Sequence, residues 1–386
     1  MKSDRVKLID SLRGGSLLGI LLANLLIFQY GMFGKDYLEQ LAVLDEGAYL
    51  FTKIAIEGSF MPIFTLLFGY SLIKFVESVK KKRFKSRWHL IRRSIGLLAL
   101  GFIHGTFLWE GDILSIYGIM ILCLLLFIHR KAKTLFIWSG VIFLLVTALS
   151  YGTVEETKEE KADTAAYIKQ AQSVYSSGSY SEVKDFRNNV LPPGFDDPIF
   201  IFFLALFAPL VYAPMFLLGM GLAKIRAFQS FERERKWYVF GSIFVPIGLI
   251  CKGLSFVETE WSGILLQGGA TLLALGYVCL IACLFSLGYF PRVFKVFESV
   301  GRLSLTNYLM QTVICTTFYY GYGLGMFGEL GVFNGLLFGL CLFGLQCLFS
   351  TLYLRKFKRG PIETLFRIWT NFSWNGYTKV KKEYSV

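Results

Sequence analysis

A chain of 386 residues that is 54% hydrophobic and 17% aromatic, with only 17% of its residues charged, lies outside the composition of a soluble domain, in which about a quarter of residues carry charge. Its net charge of +13 would point to nucleic acid if the chain were soluble. Here the surplus Lys and Arg fall in short loops between long apolar runs, with no basic face interleaved with stacking aromatics, so a membrane is the expected solvent and nucleic acid is set aside as a partner.

The chain opens MKSDRVK and enters an apolar run with no small-residue cleavage site at its end, which reads as a retained first span rather than a signal peptide. Ten spans are expected at 14–33, 56–76, 94–110, 113–129, 134–152, 198–223, 237–256, 262–288, 304–324 and 331–353. Each holds roughly 17–27 residues, enough to cross ~30 Å of hydrocarbon at 1.5 Å per residue. The loops alternate in charge. Lys2, Arg5 and Lys7 precede the first span, and Lys80, Lys81, Lys82, Arg83, Arg92 and Arg93 surround the second loop. Later basic loops hold Arg130 and Lys131, then Arg226 and Arg233, then Arg292 and Arg302, and the tail holds Arg355 and Arg359. The intervening loops carry Asp36, Asp45, Glu110, Asp112, Glu258 and Glu329 instead. This alternation predicts an all-α polytopic membrane helix bundle with both termini cytoplasmic, a single membrane domain over 1–386, and a cytoplasmic interfacial tail over 354–386.

One connection is long. Residues 153–197 are polar and extracytoplasmic on this reading; 156–176 suits an amphipathic helix, stopped by LPPGFDDP. A lid over an outward pocket and a solvated connector both fit. Pro62, Pro214 and Pro246 fall inside spans and are expected to kink them. PIFTLLFGYSLIK in the second span and PMFLLGMGLAK in the sixth look alike. All seven cysteines lie in apolar runs, so neither a disulfide framework nor a metal site is expected.

Polar groups inside spans are costly unless they face a cavity or a partner. Asp10 and Arg13 share a helix face at the entry to the first span, either as a local ion pair or as an anion-binding mouth. Asn24 lies ~16 Å deeper on the same helix, as interhelical glue or against a substrate carbonyl. His104 is the one histidine inside a span, and Trp109, Glu110, Asp112 and Tyr117 follow at a tight turn. An imidazole with a carboxylate beside it is a general-base arrangement; a buried structural histidine is the alternative. Ser304, Asn307 and Gln311, with Tyr308 beside them, form a stripe that reads as a cavity wall or as helix–helix hydrogen bonding. Arg359, Glu363 and Arg367 recur every four residues on an expected interfacial helix. With Arg13, Arg92, Arg93 and Arg302 they complete a basic collar suited to phosphates or to anionic lipid heads.

These residues resemble a known family. The Arg5–Asp10–Leu12–Arg13–Gly14 entry, LLFG at 66–69, His104 with WEGDIL at 109–114, GRLSLTNYLMQ at 301–311 and RGPIE at 359–363 look like the YeiB-like bacterial membrane proteins, a domain-of-unknown-function family (number 418), over nearly the whole chain. More distantly, the entry motif with an Asn eleven residues after its Arg is similar to the transmembrane acyltransferase superfamily. That resemblance implies an acyl-CoA co-substrate on the cytoplasmic side and an extracytoplasmic acceptor, with Asn24 in the active site. The catalytic His that the superfamily's lysosomal heparan-sulfate acetyltransferase carries in its first non-cytoplasmic loop is missing, since 25–56 holds no His, so either His104 takes the role with Asp112 or Glu110 or acyl transfer is absent. The expectation is acyl transfer, or a relative that binds an acyl carrier, with a transporter or flippase for a small solute or lipid as the alternative. Membrane lipids and a second copy of the chain are its other expected partners.

Overall fold

The computed structural model describes residues 6–152, 157–195 and 197–374. Lys2, Arg5, the start of the long connection at 153–156, Asp196 and the tail from 375 lie outside the described residues. Those described form sixteen α-helices and no strand. α1 (Lys7–Tyr30) enters the bundle; α2 (Val43–Phe51) runs through a single π-turn (Thr52–Ile56) toward α3 (Phe60–Lys81). Then come α4 (Ser86–Phe107), α5 (Leu114–Leu124), α6 (Ala132–Ala148), α7 (Lys158–Ser177), α8 (Tyr180–Asn189) and α9 (Pro198–Lys224). The chain ends with α10 (Phe231–Gly241), α11 (Phe244–Leu254), α12 (Ser262–Ser286), α13 (Pro291–Arg302), α14 (Ser304–Tyr319), α15 (Val332–Lys356) and α16 (Pro361–Asn371).

Among the described residues six stretches are long and apolar enough to cross a membrane: Lys7–Tyr30, Val43–Lys81, Ile201–Lys224, Phe231–Leu254, Ser262–Ser286 and Val332–Lys356. Leu114–Leu124 and Ala132–Ala148 are apolar but shorter. Large apolar side chains such as Leu144, Leu149, Phe240 and Leu345 face outward, as a bundle solvated by lipid requires.

Glycine allows the closest helix approaches. A Cβ at Gly69 would run into the Phe216 carbonyl, and one at Gly219 into the Leu66 carbonyl, so the look-alike segments LLFG on α3 and FLLG on α9 pack reciprocally. The same device joins α1 to α13: Gly14 lies on the Phe297 carbonyl and Gly301 on the Asp10 carbonyl. Small residues at helix crossings let backbones approach where the hydrophobic effect no longer drives association.

The structure corrects several local expectations. Pro62 occupies the first turn of α3, where no N–H is needed, so it does not kink that helix. At Pro246 the stretch Phe231–Leu254 is interrupted between α10 and α11, where Ser242 and Ile243 keep a right-handed helical backbone but the i−4 bond to Ser242 is missing. Pro209 and Pro214 are the prolines inside α9, and the Pro214 carbonyl accepts from Ser139 Oγ at 2.7 Å. The long connection forms two helices rather than one. Thr157 with Glu160 closes a capping box on α7, and Ser179 with Glu182 closes another on α8. The second box, readable as S-x-x-E, starts a new helix before LPPG is reached.

Candidate active site: a basic cleft and a buried histidine

A cleft of about 540 Å³ opens between α1, α3, α4, α14 and α16. Its rim carries Arg13, Lys74, Lys82, Arg93, Arg302, Lys358, Arg359 and Arg367 against two carboxylates, Asp10 and Glu363. Its floor is apolar and aromatic: Phe64, Phe68, Leu97, Ile113, Tyr117 and Tyr308. An apolar pocket of this size with cations at one end suits an amphiphilic anion.

Each rim residue is held by its own element. Arg13 donates from Nη1 to Asp10 Oδ1 at 3.1 Å and from Nη2 to Ser71 Oγ at 2.6 Å, so the local ion pair and the cleft wall are one arrangement. Arg93 on α4 is different. Its guanidinium sits about 5.5 Å from the rings of Phe68, Phe75 and Phe366, and among the described residues no carboxylate pairs with it. Arg302 donates to the Lys358 carbonyl at 3.2 Å. Glu363 accepts from the amides of Leu305 and Thr306 at 2.8 and 3.0 Å and from the Thr306 hydroxyl. It therefore caps the N-terminus of α14 from α16 and fixes the tail against the cleft. Gly360 makes this possible, since a Cβ there would meet the Glu363 carboxylate. Glu363→Gln should lower stability by about 1 kcal/mol and loosen α16, read as a lower melting temperature with faster proteolysis after residue 356.

Beyond the floor is His104, 1% exposed on α4. Its Nδ1 lies 3.0 Å from Asp112 Oδ1 and its Nε2 3.0 Å from Thr312 Oγ1. The ring of Tyr308 separates it from the cleft, 5.2 Å away centroid to centroid, and the Tyr308 hydroxyl donates to the Gly111 carbonyl at 3.2 Å. Asp112 also accepts from the amides of Leu114 at 3.1 Å and Ser115 at 2.8 Å, at the start of α5. Burial alone would raise its pKa, but His104 and these amides outweigh it and hold the carboxyl below its usual value. Gly101, one turn before His104, leaves room for this carboxylate.

The other expected site residues lie elsewhere. Glu110 does not orient His104. It faces a second, smaller cavity of about 120 Å³ under α7 and α8, where Tyr175 donates to it at 3.2 Å and Arg187 Nε stands 4.0 Å away. The long connection thus covers the bundle above Glu110. Trp109 is 1% exposed and stacks on Phe28, so it is core. Tyr117 lines the cleft, with its hydroxyl 3.3 Å from Thr65 Oγ1. Asn24 is half-buried on α1, outside the cleft lining. Arg92 stands over the Phe372 ring at 4.4 Å and is not part of the rim.

The stripe on α14 divides in two. Ser304 and Tyr308 face the cleft. Asn307 and Gln311 turn to α15 instead: Asn307 donates to Ser350 Oγ at 3.0 Å, Gln311 to Gln346 Oε1 at 2.9 Å, and Gln346 back to the Asn307 carbonyl at 3.0 Å. They are interhelical bonds, not cavity wall. Lys74, Lys82, Lys358 and Thr312 were not singled out from sequence. Lys82 and Lys358 read as loop and tail charge, Lys74 falls inside the expected second span, and a threonine one residue past Gln311 carries no pattern of its own. Among the described residues no group of three His, Cys, Asp or Glu could hold a metal ion.

Comparison with known proteins supplies the family. Residues 222–373 match the model of a family described as "Protein of unknown function (DUF418)". The chain is 32% identical over 411 residues to the uncharacterized protein YxaH of Bacillus subtilis, covering 99% of this chain and 98% of that one. The chain belongs to the DUF418 family. It is also 29% identical over 391 residues to the uncharacterized protein YeiB of Escherichia coli, covering 93% and 94% of the two chains. An uncharacterized 39.9 kDa protein of Bacillus acidopullulyticus is 23% identical over 393 residues. The DUF418 match runs from the end of α9 through α16, and so takes in Arg302, Ser304, Tyr308, Arg359 and Glu363 of the cleft. Two segments of the motif GRLSLTNY have distinct work: Gly301 seats α13 on α1, and Ser304 to Tyr308 bring α14 to the cleft floor.

Proposed function

We propose that this DUF418 protein is an acyltransferase of the bacterial cytoplasmic membrane. On this reading it has ten spans and both termini inside, binds acyl-CoA from the cytoplasm in the basic cleft, and passes the acyl group toward an extracytoplasmic acceptor. The observation that carries this is Arg93: a guanidinium set among phenyl rings in the cleft wall, in a rim of eight cations and two carboxylates, above an apolar floor. Phosphates of the coenzyme would meet Arg13, Arg93, Arg302 and Arg359, bidentately where a guanidinium allows. The acyl end would lie along Phe64, Phe68 and Ile113, stopping at Tyr308. Asp112 orients His104 as general base, the geometry in which a carboxylate fixes the imidazole tautomer. His104 is sealed in the resting state, so turnover needs the Tyr308 ring to swing aside.

The test is the kinetics of acyl-CoA consumption by the protein in liposomes. Arg93→Gln should raise KM for acetyl-CoA about tenfold, equivalent to about 1.4 kcal/mol, with kcat within about twofold. The rise should shrink as salt screens the rim. Unchanged KM in a folded variant would remove the cleft from the reaction. Binding of acyl-CoA with no turnover, but with uptake or flipping of an anionic solute or lipid, would favour a transporter instead.

A further inference from the structure

The base within this DUF418 chain already has a proton donor in place. The hydroxyl on His104 Nε2 is not a solvent or an acceptor molecule but Thr312 Oγ1, at 3.0 Å, and the other ring nitrogen lies 3.0 Å from Asp112. Asp112 can only accept while it is ionised, and its remaining partners, the amides of Leu114 and Ser115 and the Ser115 side chain, donate to it. In the neutral imidazole Nδ1 therefore carries the hydrogen toward Asp112 and Nε2 keeps its lone pair; of the two acceptors beside the Thr312 hydroxyl, Nε2 at 3.0 Å is closer than the Tyr308 carbonyl at 3.4 Å. The order hydroxyl, imidazole, carboxylate is that of an activated oxygen nucleophile. Three elements supply it: α14 the hydroxyl, α4 the imidazole and the turn before α5 the carboxylate. Thr312 sits one turn beyond Tyr308, the residue that closes the cleft, and both side chains are buried, at 1% and 3% exposure.

The geometry points to Thr312 as a covalent acyl relay: the acyl group of a thioester bound in the cleft is transferred to Thr312 Oγ before it leaves for its acceptor. This rests on the acyl-CoA reading of the cleft. Thr312 Oγ attacks the thioester carbonyl as His104 Nε2 takes its proton. The C–S bond breaks, the thiolate receives that proton from His104, and an O-acyl threonine and free CoA remain. In the second half the acceptor's hydroxyl or amine loses its proton to His104, attacks the ester carbonyl, and Thr312 regains its hydrogen. No oxidant or reductant enters. The relay also accounts for the burial, because an ester shielded from water on both sides is not lost to hydrolysis.

Purified protein is incubated with acetyl-CoA and no acceptor, then measured by denaturing intact-mass spectrometry and peptide mapping. A mass gain of one acetyl group per chain is expected, mapped to Thr312 and released by hydroxylamine. Thr312→Ser should keep the adduct. Thr312→Val, nearly the same shape, should lose both the adduct and at least 95% of turnover while binding acetyl-CoA as tightly as the parent chain. If acetyl-CoA binds, no adduct forms and Thr312→Val turns over at the parent rate, the relay is overturned and the cleft reading stands. If acetyl-CoA does not bind at all, the cleft reading falls and the relay with it. Should the valine variant fail to fold, mapping of the adduct in the parent and Thr312→Ser chains decides the point alone.

Discussion

Asn in place of Asp112 is expected to cut acyl transfer by about a thousandfold, because the carboxylate sets which nitrogen of His104 carries the hydrogen. It should also destabilise the fold by about 1–2 kcal/mol, since the same two oxygens cap the first turn of α5. The carboxylate pairs with His104 and accepts from the amides of Leu114 and Ser115. An amide has only one accepting atom and two donors, so at least one of those partners is lost or opposed. The two effects separate experimentally: melting in detergent reads the cap, and turnover at a temperature where both chains are folded reads the tautomer. Turnover within tenfold of the parent would remove His104–Asp112 from the chemistry and leave it as a clasp between α4 and α5. The same carboxylate predicts an acid limb. Its folded pKa is held down, so its stabilising contribution is complete above the unfolded value of about 3.9. That contribution disappears as pH falls through the lower folded value, and Asp112→Asn should lack that loss.

Gly219→Leu is expected to abolish the folded bundle, with a cost of about 3 kcal/mol or more. A side chain at this position has no cavity to enter. It would meet the backbone of α3 at Leu66 and Tyr70, which a rotamer change cannot move. Gly69 stands in the same relation to the Phe216 backbone, so Gly69→Leu should behave alike. Gly344→Ala on α15 is the control, because nothing lies within 4 Å of a Cβ there; it should melt within about 0.5 kcal/mol of the parent. Fluorescence-detected size exclusion of the detergent-solubilised variants checks all three. A monodisperse Gly219→Leu chain with a parent-like melting temperature would show that α3 and α9 do not meet as described.

The helices were legible because lipid demands long apolar runs, and those runs are hard to disguise. Their punctuation was less so. Pro246 gives the same letter whether it kinks a helix, breaks it or starts one, and only the break before Phe244 settles which. The Ser179–Glu182 capping box was readable but was overshadowed by the stronger stop at Pro192 and Pro193. At the site, charge grouping brought out Arg13, Arg93, Arg302, Arg359 and Glu363, which do converge on one cleft. It also brought in Arg92, one residue from Arg93 but about 100° round the helix, facing Phe372. Asn307 and Gln311 misled for a related reason. A polar stripe on one helix has the same spacing whether it meets a cavity or another polar stripe. Here its partners, Gln346 and Ser350, come from α15, some forty residues on. Between Glu110 and Asp112 the choice of carboxylate was open in sequence; the turn sends one to His104 and the other out to Tyr175. Thr312 was invisible because a lone threonine in an apolar helix is ordinary until an imidazole is placed beside it.

Binding of acyl-CoA to the purified protein tests the central claim most directly, by native mass spectrometry of the parent chain and Arg93→Gln at two salt concentrations. One acetyl-CoA per chain is predicted for the parent, weakened by salt and reduced about tenfold in the variant. No acyl-CoA bound at any chain length, or equal binding by both proteins, would contradict it.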